Sequence, residues 1–149
     1  MNIEKIIENK KVFLELLLLA DEKESMIDKY LDRGDMFALY DDGSARAVCV
    51  VTKEGEGVFE IKNLAVDAAY HRQGYGRTMI SHVVDYYRGC GRELLLGTGE
   101  TDSILRFYQS CGFEYSHTVA NFFVDNYDHE MFEDGKQLID MIYLRKSLF

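Results

Sequence analysis

Read along its hydrophobic positions, the chain changes period twice. Val12, Phe13, Leu16, Leu17 and Ala20 recur at helical spacing, and Met26, Ile27, Tyr30 and Leu31 repeat it before Gly34, a candidate C-cap. Two short helices are therefore expected to open the domain. From Met36 the runs shorten and alternate: Met36 to Tyr40, the turn Asp41-Asp42-Gly43-Ser44, Ala45 to Thr52, the turn Glu54-Gly55-Glu56-Gly57, and Val58 to Val66. This pattern predicts an antiparallel three-strand meander.

Helical spacing returns after two closely spaced glycines. Met79, Ile80, Val83, Val84 and Tyr87 mark one helix face that ends at Gly89, and Leu94, Leu95 and Leu96 form a short apolar strand. Strand, helix and strand at this separation predict parallel pairing through a right-handed crossover. Thr101, Asp102 or Ser103 is placed to cap the next helix, where Ile104, Tyr108 and Cys111 share a face before Gly112. A strand near Phe113 to Val119, a long acidic loop rich in aromatics and a last strand around Leu138 to Leu144, interrupted by Asp140, complete the reading. The whole of 1–149 is expected to form one α/β domain.

Composition narrows the function. Seventeen basic against 26 acidic residues give a formal charge of -9, which argues against nucleic acid, since phosphate backbones are held by clustered Lys and Arg. Neutral or cationic partners fit better. Cys49, Cys90 and Cys111 lack zinc-ligand spacing, so no metal is expected and all three are read as small buried residues. Val12 to Ala20 is interrupted by Glu15 and falls far short of the ~20 apolar residues of a membrane span, and Met1 to Lys11 does not resemble a signal peptide. A cytoplasmic location is expected.

The stretch AVDAAYHRQGYGRTMISHVV, residues 65 to 84, carries the clearest chemical signal. A helix N-terminus presents free N–H groups and the positive end of the helix dipole, so it binds anions wherever the backbone can be approached closely. Gly74 and Gly76 permit that approach, and Arg72 and Arg77 flank it. Taken alone, the glycines favour a plain strand-to-helix turn with the arginines solvated, since a lone G-x-G is a weak signal. Met79 breaks a dinucleotide-binding fingerprint, and no Lys-Ser or Lys-Thr pair completes a Walker loop.

The runs EIKNLAVDAAYHRQGYGRTMI and LLLGTGETDSILRFYQSCGF together resemble the GNAT superfamily of N-acetyltransferases, whose signature is Arg or Gln, two residues, Gly, one residue, then Gly or Ala. The resemblance follows the element order of nearly the whole chain and is most specific in residues 60 to 113. It implies a mixed, mostly antiparallel sheet of six to seven strands with a central parallel pair, flanked by about four helices. It also implies acetyl-CoA as cofactor, its pyrophosphate held at His71, Arg72, Gln73, Gly74, Tyr75, Gly76 and Arg77, and its pantetheine arm beside the backbone of Leu64, Ala65 and Val66. The chain departs from the family at His71, where Arg or Gln is usual, and around Glu100, Thr101 and Asp102, where an Asn often begins the later helix.

Two side chains match catalytic positions of that family. Glu60 corresponds to a glutamate base of some members, although Glu60 and Lys62, two apart on a strand, are equally readable as a solvated pair. Tyr108 matches the tyrosine that protonates the leaving thiolate, against the alternative of a packed core tyrosine. A backbone N–H near Leu64 to Val66 would meet the oxyanion. His82 reads as exposed, and His117 and His129 lie outside every motif. Asp125, Asp128, Glu130, Glu133 and Asp134 crowd one loop with Phe122, Phe123, Tyr127 and Phe132; the loop either draws a cationic acceptor by its field or is a solvated face or subunit contact. The reading is thus an N-acetyltransferase acting on a primary amine of a small molecule or peptide, with a homodimer left open, and with a noncatalytic acyl-CoA-binding domain or a plain dimerisation module as alternatives.

Overall fold

The computed structural model describes all residues from Met1 to Phe149. Alternation in the central strands sorts side chains into two cores. In β2 (Asp35–Asp41), Phe37 and Leu39 face one way and Met36 and Ala38 the other; in β3 (Ser44–Gly55), Ala47, Cys49 and Val51 oppose Val48 and Val50. Period-two side-chain geometry makes both faces apolar, so both must be covered. One face receives α3 (Tyr75–Tyr87), whose Tyr75, Met79, Ile80, Val83, Val84 and Tyr87 are buried. The other receives α1 (Leu14–Ala20) and α2 (Glu24–Ile27) through Leu17, Ile27, Tyr30 and Leu31.

The sheet has seven strands. Its order is β1 (Asn2–Ile6), β2, β3, β4 (Val58–Val66), β5 (Glu93–Gly99), β9 (Met141–Ser147) and β6 (Glu114–Val119). Every pairing is antiparallel except β4 with β5, joined by the expected crossover through α3. Between β5 and β6 runs α4 (Asp102–Ser110), and the acidic loop holds α5 (Phe122–Asn126) and a hairpin of β7 (Phe132–Glu133) and β8 (Lys136–Gln137). No helix is long and apolar enough to cross a membrane.

Several local expectations are corrected. A strand precedes the two opening helices: Asn2–Ile6 pairs along β2 as an edge strand. The first helix is a 3-10 turn over Lys10–Phe13 running into α1, and the second is a single turn, Glu24–Ile27. Gly34 serves packing, because a Cβ there would meet Val50 Cγ1 at 2.8 Å. The last strand starts at Met141, after Asp140 has accepted the Asn121 N–H at 2.8 Å. Cys49 is buried, but Cys111 is half-buried and Cys90 exposed. His82 lies half-buried with its ring edge-on to Phe37, centroids 5.5 Å apart.

Candidate active site

The parallel pairing of β4 with β5 is short. It joins Val58–Ile61 to Glu93–Leu96 and stops there, so β4 beyond Ile61 has no β5 partner while Gly97, Thr98 and Gly99 continue along β9. A wedge therefore opens between the two strands. On its other edge β4 carries a bulge: Val51 pairs with Ile61 and Val50 with Asn63, leaving Lys62 as the extra residue. The bulge resets the alternation. Ile61 and Leu64, three apart, both join the α3-side core, and Lys62 and Asn63 follow Glu60 toward the opposite face.

On that face lies a cleft of about 770 Å³, bordered by Glu60, Lys62, Leu64, Gly97 to Gly99, Tyr108 and residues of α1 to α2 and of the acidic loop. Glu60 Oε2 accepts the Tyr143 hydroxyl at 3.2 Å and sits 2.9 Å from Lys62 Nζ. The Glu60–Lys62 pair thus exists, but with side chains 9% and 23% exposed it is enclosed by the cleft instead of solvated. Burial, followed by the Glu60 charge and hydrogen bond, pushes the Tyr143 hydroxyl above its ordinary range and keeps it a proton donor. His117 stacks on Tyr143, centroids 4.6 Å apart and planes within 5°. No motif pointed to His117 or Tyr143: Tyr143 reaches Glu60 because β9 lies beside β5, and His117 reaches Tyr143 because β6 pairs with β9.

Tyr108 enters the cleft from α4, its ring edge-on to Phe107 and Phe113. Its hydroxyl bonds to no other residue, and burial raises its pKa, with smaller contributions from Cys49, Cys111 and Glu133. It therefore remains a neutral O–H donor across the whole neutral range. Asn63, 2% exposed, donates from its amide to Leu17 O at 3.0 Å and to the Tyr30 hydroxyl at 3.1 Å. Its Oδ1 has no partner. Asp21 accepts from Tyr127 at 2.7 Å and from Tyr30 at 3.5 Å, and burial raises its pKa against those bonds. His129 bridges Glu22 and, at 2.9 Å, Asp128. The acidic loop is thereby tied to the segment after α1, and it does border the cleft.

The start of α3 lies at the end of β4. Gly74 takes φ +83 at the N-cap with nothing within 4 Å of a Cβ built there, so the approach is open and only glycine enters it without strain. Arg72 reaches φ +66 and lies exposed. Thr78 is the first residue whose N–H bonds back, to Gly74 O at 3.0 Å, so the amides of Tyr75, Gly76 and Arg77 are left for another acceptor. The side chains there behave less uniformly than the motif suggests. His71 donates Nε2–H to Val66 O at 3.0 Å and braces the turn. Tyr75 is buried with its hydroxyl on Asp41 at 2.7 Å, so only its amide faces out. Arg77 does not flank the cradle: it is held by Ser110, at 2.7 Å to Oγ, and lies over the Phe107 ring. Gly76 admits α4, since a Cβ there would touch Phe107 Cζ at 3.4 Å and Val66 Cγ2 at 3.7 Å.

Open amides and an open glycine meet an unpaired strand edge, which suits an elongated ligand with an anionic end. Comparison with known proteins agrees. The family model for the acetyltransferase (GNAT) domain matches residues 32–115. An uncharacterized N-acetyltransferase of Bacillus subtilis (strain 168), YvbK, is 32% identical over 136 residues, 90% of this chain and 88% of its own length. A GNAT family acetyltransferase from Elizabethkingia anophelis, solved with acetyl-CoA bound, superposes with a TM-score of 0.93 at 30% identity over 98% of this chain and 97% of that one. An acetyltransferase of Bacillus subtilis, solved in complex with CoA, gives the same TM-score and identity over 99% of both chains.

Proposed function

The chain belongs to the GNAT acetyltransferase family, and from that premise we propose that it transfers the acetyl group of acetyl-CoA to a primary amine of a small molecule or peptide, by direct attack in a ternary complex. The observation that carries this reading is the β4–β5 wedge with the unbonded Tyr108 hydroxyl in the cleft at its mouth and, tied to the far end of β4 by the His71–Val66 bond, the free amides at the start of α3. Acetyl-CoA supplies the activated acyl thioester. The residues present fit it: the amides of Gly74, Tyr75, Gly76 and Arg77 hold its pyrophosphate, with Arg72 and Gln73 at the exposed rim and His71 bracing the turn. The β4 edge at Leu64, Ala65 and Val66 offers peptide groups to the arm and an N–H to the oxygen that gains charge.

The chain's side chains then manage two protons. An alkylamine with a pKa of about 10.4 arrives as an ammonium, and Glu60, 2.9 Å from Lys62 Nζ, takes its proton. Tyr108 gives its hydroxyl proton to the departing sulfur. Calorimetry with CoA and thiol release across an amine panel test the proposal. Micromolar binding with amine-dependent release is expected. Absence of binding removes the cradle, and tight binding with silence toward every amine removes the transfer step.

A further inference from the structure

Among the acids of the 120–134 segment, one stands apart by its surroundings. Asp128 is engaged by His129, and Asp134 accepts the Ser103 hydroxyl at 2.8 Å. Asp125 and Glu130 are exposed to solvent. Glu133 alone is half-buried, borders the cleft and has neither an ion-pair nor a hydrogen-bond partner. Its placement is rigid. Asp134 and Gly135 both take positive φ, 51° and 76°, as a two-residue type I′ loop requires, and the ladder continues from Leu138 N–H to Met131 O at 2.7 Å. Leu138 packs onto Gly99, and a Cβ at Gly99 would lie 3.5 Å from Glu133 Oε2. The hairpin therefore holds a carboxylate over the β5 side of the wedge, with Tyr108 as a neighbour.

A half-buried carboxylate, partly desolvated and without a partner, is stabilised in its charged form when a ligand supplies the counter-charge. The other charges of the cleft do not supply it: Lys62 is committed to Glu60, and Arg33 to Glu54 at 2.8 Å. Lys29 is exposed, and Lys136, on the facing strand, lies 4.0 Å from Glu100. In the same cleft Asn63 Oδ1 is a second acceptor without a donor. The missing partner of Glu133 is thus a cation, while Asn63 Oδ1 is a buried acceptor elsewhere on the same cleft wall. The reacting nitrogen gives up its protons on the way to a neutral amide, so any charge it carries during attack is transient; a second ammonium, which takes no part in the bond change, keeps its charge beside Glu133 throughout.

We propose that Glu133 is a specificity-determining residue that holds a second, permanently charged ammonium of the acceptor, so that the enzyme selects diamines over monoamines. This rests on the acetyl-transfer reading given above, with Glu60 serving the reacting nitrogen and Glu133 the other one. The test compares straight-chain diamines of two to six carbons with alkanolamines of the same length, in the wild type and in Glu133→Gln, which keeps the shape and removes the charge. The wild type is expected to favour a diamine in kcat/KM by about ten- to a hundredfold, the range of a hydrogen bond to a charged group. In Glu133→Gln that ratio falls to within about threefold, chiefly through the KM of the diamine.

An unchanged ratio, or a wild type without preference, overturns the proposal. So does an equal fall in kcat for both amines that recovers at alkaline pH, which would make Glu133 the base. A melting curve of the variant matching wild type shows that the hairpin is intact, and the tighter Glu133→Asp variant, with charge retained, should recover part of the preference. Calorimetric titration of the CoA-bound protein with the diamine separates the two readings. Binding that is lost in Glu133→Gln upholds the site even if no acetyl transfer is found, and no binding removes it whether or not transfer occurs.

Discussion

Tyr108→Phe isolates one proton. The hydroxyl makes no bond within the chain, so its removal takes nothing from the folded state, and the ring keeps its edge contacts with Phe107 and Phe113. Stability should stay within about 0.5 kcal/mol of wild type, as for substitutions outside the recognised destabilising mechanisms. Burial keeps the hydroxyl protonated up to strongly alkaline pH, so at neutral pH every molecule carries the donor. Losing a general acid typically costs ~10² to 10⁴ in rate, or about 2.7 to 5.5 kcal/mol of barrier. The assay is thiol release at saturating acetyl-CoA and amine, with CoA affinity from calorimetry and a melting curve on the same preparation. A drop in kcat of that size with CoA affinity and melting temperature unchanged is expected. Retention of kcat within about threefold refutes the proton-donor role; an equivalent drop with a much lower melting temperature refutes the premise that the hydroxyl is structurally idle.

Three further outcomes follow from the same geometry. Glu60→Gln should slow turnover most near neutral pH and least near pH 10, where free amine is abundant, and an unaltered pH–rate profile would point to bulk water as base. Gly74→Ala meets no atom, so its cost is conformational: forcing φ +83 on an L-residue should destabilise the fold by about 1 to 2 kcal/mol in chemical denaturation and weaken CoA, and no loss in either measurement would show that the turn does not need glycine. His129 has its pKa raised above 6.5, first by the Asp128 hydrogen bond and then by Glu22, so its clamp is complete below about pH 6.5 and fades as pH rises through the higher folded value. Melting temperature should therefore fall less between pH 6 and pH 9 in His129→Gln than in wild type, and identical slopes would dissociate the clamp from stability.

Much of the framework was legible because it follows from period. The meander, α3, β5 and α4 all sit within a few residues of their predicted positions, since both faces of the sheet are apolar and their helices carry unbroken stripes. Asn2–Ile6 escaped because, as an edge strand, only Ile3 and Ile6 of its five residues turn from solvent. The glycines mark the open turn at the start of α3, yet spacing cannot tell which side chains fold back: His71 turns to Val66 O, and Arg77 to Ser110, through contacts between residues 5 and 33 apart. Resemblance singles out Glu60 and Tyr108, which line one cleft, whereas Tyr143 and His117 depend on strand order, which no local pattern encodes. The hairpin carrying Glu133 did have a local signal, the Asp134-Gly135 pair between Glu133 and Lys136, masked by the acidity of its surroundings.

The position of β9 has a bearing on biosynthesis. Although it follows β6 in sequence, β9 is an interior strand of the sheet, hydrogen-bonded to β5 on one side and β6 on the other. A nascent chain that has emerged only as far as residue 140 can assemble the meander and α3, but it leaves two strand edges bare, and bare edges recruit other chains. Entry of β9 between β5 and β6 is therefore the event that closes the sheet and brings Tyr143 to Glu60.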